Sequence, residues 1–401
     1  MPPPAQAARR LRQIPAGVWA LGFVSLLMDL SSEMIQGLLP VFLVSVLGAS
    51  ALTVGLIEGL AEAVALITRI FSGALSDWIG RRKALAVAGY GLAALTKPVF
   101  PLAGSVGWVF AARFVDRIGK GVRGAPRDAL VADIAPERLR GASFGLRQAL
   151  DTVGAFLGPA AAVALMLASG DDIRLVLWWA VVPALACVVL LVVAVREPPV
   201  AALKGTARFP LAAAQLRRLG PRFWLVAAVA AVFTLARFSE AFLILRARDL
   251  GLREAFAPLV LVLMNLVYAL AAYPAGALSD RSGRRGVFLA GVGVLIASDL
   301  AIAAAPNLLG AAVGVALWGL HMGLTQGLLS ALVADTVPAD LRGTGFGALS
   351  LVTGVATLAA SLIAGALWDR LGPPAPFLAS AGFAALAFAG VALAAPDFGR
   401  K

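Results

Sequence analysis

Two carboxylates open the chemistry of this chain. Asp29 and Glu33 stand four residues apart in an apolar stretch, so a helix puts them on one face. Two close carboxylates in a low dielectric cannot both ionise cheaply, so this pair is expected to hold a proton between them. A carboxyl that takes up and gives back a proton is what a proton carrier needs. The plainer reading is permanent pairing with basic groups of another helix. An ionisable side chain in a membrane helix costs at least ~2.5–3.5 kcal/mol on insertion scales, so each one calls for a function or a partner. Asp116, Lys120, Arg123 and Arg127 follow at i, i+4, i+7 and i+11, one helical stripe with Arg113 and Arg117 beside it. Arg117 and Lys120, nearer mid-span, read as a cationic wall for an anionic or zwitterionic substrate or for a neighbouring carboxylate. Arg123, Arg127 and Asp128 read as a gating ion-pair network.

The remaining polar positions are more scattered. Glu58 and Glu62 are four residues apart, with Arg69 two turns beyond Glu62. Arg147 and Asp151 are also four apart and are expected to neutralise each other. Lys97 precedes Pro98 and is expected to snorkel toward the span end. Arg237 and Asp299 are isolated. His321, the single His, is able to titrate near neutral pH, but without carboxylate neighbours in sequence it reads as a packed, hydrogen-bonded residue. No nucleophile–base–acid set, metal-ligand cluster or phosphate-cradling loop is evident. An enzyme is therefore not expected, and neither a metal nor a cofactor is. One Cys, Cys187, excludes a disulfide framework.

The elements that must hold these residues are membrane helices. Of 401 residues, 60% are hydrophobic and 14% charged, against roughly 45–50% and about 25% in soluble domains. Mean hydropathy is +0.90. Runs of about 20 apolar residues recur, each long enough to cross a bilayer. Twelve spans are predicted: 17–47, 52–75, 84–103, 106–132, 142–168, 173–195, 222–247, 255–278, 286–305, 308–334, 344–367 and 374–394. No cleavable signal peptide is expected, since the first apolar run continues toward Leu47. The polar, proline-broken stretch 196–221 divides the chain into bundles 1–195 and 222–401. The net charge of +12 could suggest nucleic acid, but Lys and Arg are about four times as frequent in one set of alternate loops as in the other, the bias of cytoplasmic loops. Both termini and the linker are thus expected on the cytoplasmic side.

The bundles repeat. Gly73-Ala-Leu-Ser-Asp77-Trp-Ile-Gly80-Arg81-Arg82 recurs as Gly276-Ala-Leu-Ser-Asp280-Arg-Ser-Gly283-Arg284-Arg285, an offset of 203. Ala132-Asp133-Ile-Ala-Pro136 recurs as Ala334-Asp335-Thr-Val-Pro338 at 202, and Ser32-Glu33 as Ser239-Glu240 at 207. Parallel repeats imply two similar bundles with a substrate path between them. Glu240 therefore joins Glu33 as a coupling candidate, whereas Asp29 faces an Ala236 counterpart. The helix-4 charges have none: Gly319, Met322 and Thr325 stand opposite Arg117, Lys120 and Arg123.

These motifs resemble the major facilitator superfamily over almost the whole chain. Residues 276–285 match the family's helix 2–3 loop pattern fully, and residues 73–82 match it except at Trp78. Arg117-Ile-Gly-Lys120-Gly121 is similar to its helix-4 motif, with Lys120 where Gln is common. Gly154-Ala-Phe-Leu-Gly158-Pro159 is similar to its helix-5 motif, a mark of antiporters, though Gly-x-x-x-Gly also serves plain helix packing. The run Asp116-Arg-Ile-Gly-Lys-Gly-Val-Arg-Gly-Ala-Pro-Arg-Asp128 resembles one prokaryotic branch of the superfamily, and the resemblance attaches no substrate to it. The resemblance implies an all-α polytopic protein of twelve transmembrane helices in two pseudo-symmetric six-helix bundles, working by alternating access. It implies a cytoplasmic gate of Gly73, Asp77, Gly80, Arg81, Asp133, Gly276, Asp280 and Arg284. The expected function is proton-coupled export of a small organic compound from a monomer in a prokaryotic cytoplasmic membrane. Symport or uniport of an anionic metabolite or metal chelate is the second reading, and lipid translocation the third.

Overall fold

The computed structural model describes residues 13–79, 81–198, 216–282, 284–325, 337 and 341–393. The described residues form helices and connecting turns without a strand. α1 is Ala16–Val41, continued by a wide π turn at Phe42–Val46, and α2 is Ala51–Ile79. α3 has two pieces, Arg82–Thr96 and Val99–Leu102, interrupted at Lys97–Pro98. α4 is Val106–Ile134, α5 Arg140–Ser169, and α6 the pieces Ile173–Trp179 and Val181–Ala194. α7 is Pro221–Leu235 and Ala241–Asp249, α8 Leu259–Ser282, α9 Arg284–Ala303 and α10 Leu308–Thr325. α11, Arg342–Leu371, and α12, Ala375–Leu393, complete the set.

Local chemistry explains many of the ends. Gly170 closes α5 in the left-handed region at φ 68°, where a residue without Cβ is least strained. The Asp172 carboxylate accepts from Leu175 N–H at 3.1 Å and caps α6. Pro221 opens α7 at a position where its missing N–H costs nothing. Asn307 Oδ1 accepts from Gly310 N–H at 3.0 Å at the start of α10.

Among the described residues, ten helices are long and apolar enough to cross a membrane. α4 and α7 bring the spans to twelve, and the reasons they stand apart are informative. α4 is long enough, but it carries Arg113, Asp116, Arg117, Lys120, Arg123, Arg127, Asp128 and Asp133. α7 loses its helix between Leu235 and Ala241.

The chain divides into two compact units, Met1–Ile35 with Val64–Phe209, and Gln36–Ala63 with Pro210–Lys401. In the first, α3 and α4 cross closely: a Cβ on Gly89 would come within 2.7 Å of Gly119 O and Arg123 N. Val18, Leu21, Val24, Tyr90, Leu130, Val131, Cys187 and Leu191 fill its core. In the second unit the linker-distal half of α2 lies on α11. A Cβ on Gly55 would stand 2.2 Å from Ser361 O, and one on Gly365 2.5 Å from Leu52 Cα. The Asp369 carboxylate, near the end of α11, accepts from Ala51 N–H at 3.1 Å and Leu52 N–H at 2.9 Å. It thereby satisfies two of the orphan donors at the start of α2 and meets the positive end of its dipole.

Candidate functional site

Small residues bring the carboxylates of α1 against α5. A Cβ on Gly154 would meet Leu26 O at 2.5 Å, and one on Gly158 would meet Glu33 Cβ at 2.7 Å and Leu30 O at 2.8 Å. Gly154 and Gly158, both buried with Pro159, are therefore the contact surface on which the Asp29–Glu33 face of α1 rests. That close approach puts the Asp29 carboxyl beside the Asp151 carboxyl of α5, with Glu33 and Arg123 also in electrostatic range. Two carboxyl groups side by side are stable only when a proton or a cation stands between them. Arg147 Nη1 lies 3.5 Å from Asp151 Oδ2 and Arg127 Nη1 3.8 Å from Asp151 Oδ1. The Arg147–Asp151 pair expected from the spacing is present, but Asp151 is also shared with α1 and α4. Sequence spacing along α5 carried no sign of that.

The charged stripe of α4 is mostly buried. Asp116, Arg113, Arg117 and Arg123 are each 6% exposed or less. Lys97 corrects the expectation of a snorkelling residue: it is 1% exposed, and its Nζ sits 3.0 Å from Asp116 Oδ1. The same ammonium donates to Ser32 Oγ of α1 at 3.1 Å. The α3 interruption before Pro98 holds Lys97 at this depth, and a partner two helices away in the chain was invisible to spacing. Arg117 Nε at 3.9 Å and Arg113 Nη1 at 4.0 Å approach the other Asp116 oxygen. Arg123 lies over the Tyr90 ring at 4.7 Å, a cation–π contact made in a desolvated site. Lys120, by contrast, is exposed and has no hydrogen-bond or ion-pair partner among the described residues.

Toward the linker side, α4 enters an ion-pair network. Arg127 Nη2 is 3.1 Å from Asp128 Oδ1, and its Nη1 donates to Ser25 Oγ of α1 at 3.2 Å. Asp128 also meets Arg69 of α2 at 3.6 Å and Arg147 of α5 at 3.9 Å. This cluster ties four helices together within one unit. Asp133 pairs with Arg82, the residue after the Arg81 named by resemblance. The Arg82 N–H also donates to Glu197 beyond α6. A Cβ on Gly73 would make only an ordinary contact with Ala125, at 3.5 Å. Gly80 and the side chains of Asp77, Asp280 and Arg284 lie outside the described residues.

The second unit departs from the repeat at α7. Glu33 lies inside an unbroken helix, whereas Glu240 sits at the end of the Ala236–Glu240 break, half-buried. Arg237 lies in the same break, 5.7 Å from the Phe233 ring centroid. Glu58 is buried and Glu62 half-buried on the α2 segment that belongs to this unit. His321 is fully buried, with Nδ1 2.8 Å from Gly291 O and its ring 5.6 Å from Phe233. It is a packed, hydrogen-bonded histidine. Asp299, which its sequence neighbours left isolated, is 0% exposed and bonded to Ser380 of α12.

Twelve spans and a doubled motif define a polytopic membrane protein of two repeats. The Major Facilitator Superfamily model matches residues 21–245 and again 238–400. An MFS-type transporter of Methanocaldococcus jannaschii is 34% identical over 375 residues, covering 92% of each chain. A Mycobacterium tuberculosis protein is 31% identical over 363 residues, 88% of this chain and 86% of that one. Among solved structures, the nucleoside transporter NupG aligns at TM-score 0.75 and 15% identity over 95% of this chain and 100% of that one. A bacterial homologue of the lysosomal transporter Spinster aligns at 0.76 and 17% over 95% and 96%. The D-xylose–proton symporter aligns at 0.72 and 16% over 93% and 96%. The chain belongs to the major facilitator superfamily. It is a multi-pass membrane protein, a secondary transporter by fold and not an enzyme.

Proposed function

We propose that this transporter couples to protons and exports a small organic compound in exchange for them. The observation that carries this reading is the grouping of three carboxyls, Asp29, Glu33 and Asp151, on the α1–α5 seam beside the arginines of α4. A carboxyl pair that shares a proton next to cationic partners can trade that proton for a different charge arrangement. Glu33 and Glu240 take the coupling role in the two repeats, with Arg117 and Lys120 as the cationic side of the path. The antiport direction rests on the resemblance of Gly154–Pro159 to the antiporter motif. The units of function are bundles 1–195 and 222–401 around a cytoplasmic 196–221 linker, in a monomer of a prokaryotic cytoplasmic membrane. Gly73, Asp77, Gly80, Arg81 and Asp133, with Gly276, Asp280 and Arg284, gate the linker side. The Arg82–Asp133 pair supports that gate by tying the start of α3 to the end of α4.

The test uses acid-loaded proteoliposomes with an internal pH dye, and compounds chosen by thermal shift of the purified protein. Adding a transported compound outside should release protons in wild type, and Glu33→Gln should abolish the release. Unaltered proton exchange in Glu33→Gln would remove Glu33 from the mechanism. One observation favours a second reading, symport or uniport of an anion: Lys120 is an exposed cation without a partner among the described residues. Proton entry with an anionic compound, lost in Lys120→Gln, would select it.

A further inference from the structure

Hydrogen-bond bookkeeping in the second unit leads to a group outside the α1–α4–α5 cluster. α7 breaks over Ala236–Glu240 without a Pro or Gly in the segment Ala-Arg-Phe-Ser-Glu. One cause of an interruption without those residues is a side chain that inserts into the ladder. Here side chains of α11 and α12 bond to the freed backbone groups. Ser239 N–H donates to Ser361 Oγ at 3.3 Å, and Ser380 Oγ stands 2.6 Å from Ala236 O. Phe238 fills a pocket of Phe242, Trp318 and Phe377, with ring centroids 5.3–5.6 Å away.

Ser380 Oγ makes a second short contact, 2.5 Å to Asp299 Oδ2. Three oxygens in a row thus share two short contacts, and each contact requires one hydrogen between its oxygens. The Ala236 carbonyl can only accept, and the hydroxyl of Ser380 brings a single hydrogen. The second hydrogen must come from Asp299. Burial demands the same: Asp299 is 0% exposed, and its Oδ1 has no hydrogen-bond partner among the described residues. A bare carboxylate there would lack the paired, hydrogen-bonded setting that buried charges require. The charged groups around it do not supply one. Arg246 of α7 is committed to Asp249 and to the carbonyls of Ile302, Ala303 and Ala305. Arg285 lies nearly four turns away on α9 itself and donates to Ala392 O. His321 of α10 is bonded to Gly291 O, and Arg237 faces Phe233 and Glu240. α12 carries no ionisable residue over Ala375–Leu393.

We propose that Asp299 is a proton-binding site that holds the α7 break shut through the relay Asp299 O–H to Ser380 Oγ–H to Ala236 O. When the proton leaves, the carboxylate and the carbonyl compete for one hydroxyl hydrogen. One contact is lost and a charge is stranded, so proton release requires the break to rearrange or hydrate. Arg237 and Glu240 sit on that break and move with it. The relay stands on the oxygen count alone and is independent of where the coupling proton of α1 binds.

Infrared spectroscopy of the purified, lipid-reconstituted protein at neutral pH reads the proton directly. Wild type should show a protonated-carboxyl C=O band that shifts in D2O. Asp299→Asn should lose one acid's share of that band, while its amide N–H can still donate to Ser380. Ser380→Ala should move the Asp299 band to higher frequency, because the acid loses its acceptor, and this arm decides the case if Asp299→Asn does not fold. Identical carboxyl-acid regions in wild type and Asp299→Asn would overturn the proposal. An unmoved band in Ser380→Ala would overturn it equally.

Discussion

Asp116→Asn isolates the electrostatics of the first unit, because it removes a charge while preserving shape. Lys97 at 3.0 Å, Arg117 at 3.9 Å and Arg113 at 4.0 Å converge on this carboxylate, and all four side chains are 5% exposed or less. Breaking one buried ion pair costs about 3–5 kcal/mol, since it leaves an uncompensated charge. Asp116→Asn takes a carboxylate from three cations at once and belongs at the top of that range. Lys97→Met is different: Asp116 keeps two guanidiniums within reach, and the hydrogen bond to Ser32 is the other loss. A cost of about 1–3 kcal/mol follows. At about 2–4 °C per kcal/mol for a unit of roughly 150–250 residues, Asp116→Asn should melt ~10–20 °C below wild type and Lys97→Met ~2–12 °C below. The protein supplies its own reporter. Cys187 is the single thiol and is fully buried, so a thiol-reactive fluorogenic maleimide lights up only on unfolding. The order of the two variants is the diagnostic. Lys97→Met melting at or below Asp116→Asn would refute a carboxylate shared by three cations.

Further outcomes follow from the helix contacts. Gly158→Ala places a methyl 2.7 Å from Glu33 Cβ; this overpacking should cost about 1–3 kcal/mol and lower proton-coupled flux. Gly145→Ala, with nothing within 4 Å, is the matched control in melting and flux, and equal effects at both sites would discount the α1–α5 seam. Asp369→Ala removes the carboxylate that caps α2, a loss of about 1 kcal/mol by analogy with N-cap deletions, read as a lower melting temperature that Asp369→Asn partly restores. The Glu33→Gln flux experiment and the Asp299 infrared experiment complete the set.

Twelve spans and the internal repeat were legible because membrane burial writes itself locally: a helix must be apolar for about 20 residues to cross; the expected end of the tenth span, at 334, lies outside the described residues. α4 was also legible as the anomaly, since seven charges fall within its predicted span 106–132. His321 is buried with Nδ1 against Gly291 O, in keeping with its lack of acidic neighbours in sequence. What spacing misjudged shares one feature, a partner distant in the chain. Lys97 looked like a snorkelling residue because Asp116 and Ser32 lie on other helices. Asp151 looked satisfied by Arg147 because Asp29 and Arg127 approach from α1 and α4. The α7 break had no Pro or Gly to announce it, and the serines that bond to its backbone, Ser361 and Ser380, lie on α11 and α12.

The sequence by itself determined that this is an all-helical membrane carrier of the major facilitator type, and that its ionisable groups concentrate on α1 and α4. Only the tertiary structure decided which of those charges are paired, which carboxyls stand side by side, and which acid must keep its proton. Hydropathy is a property of each residue and sums along the chain. A protonation state depends on the few ångströms around one oxygen, and those neighbours are chosen by how the helices pack.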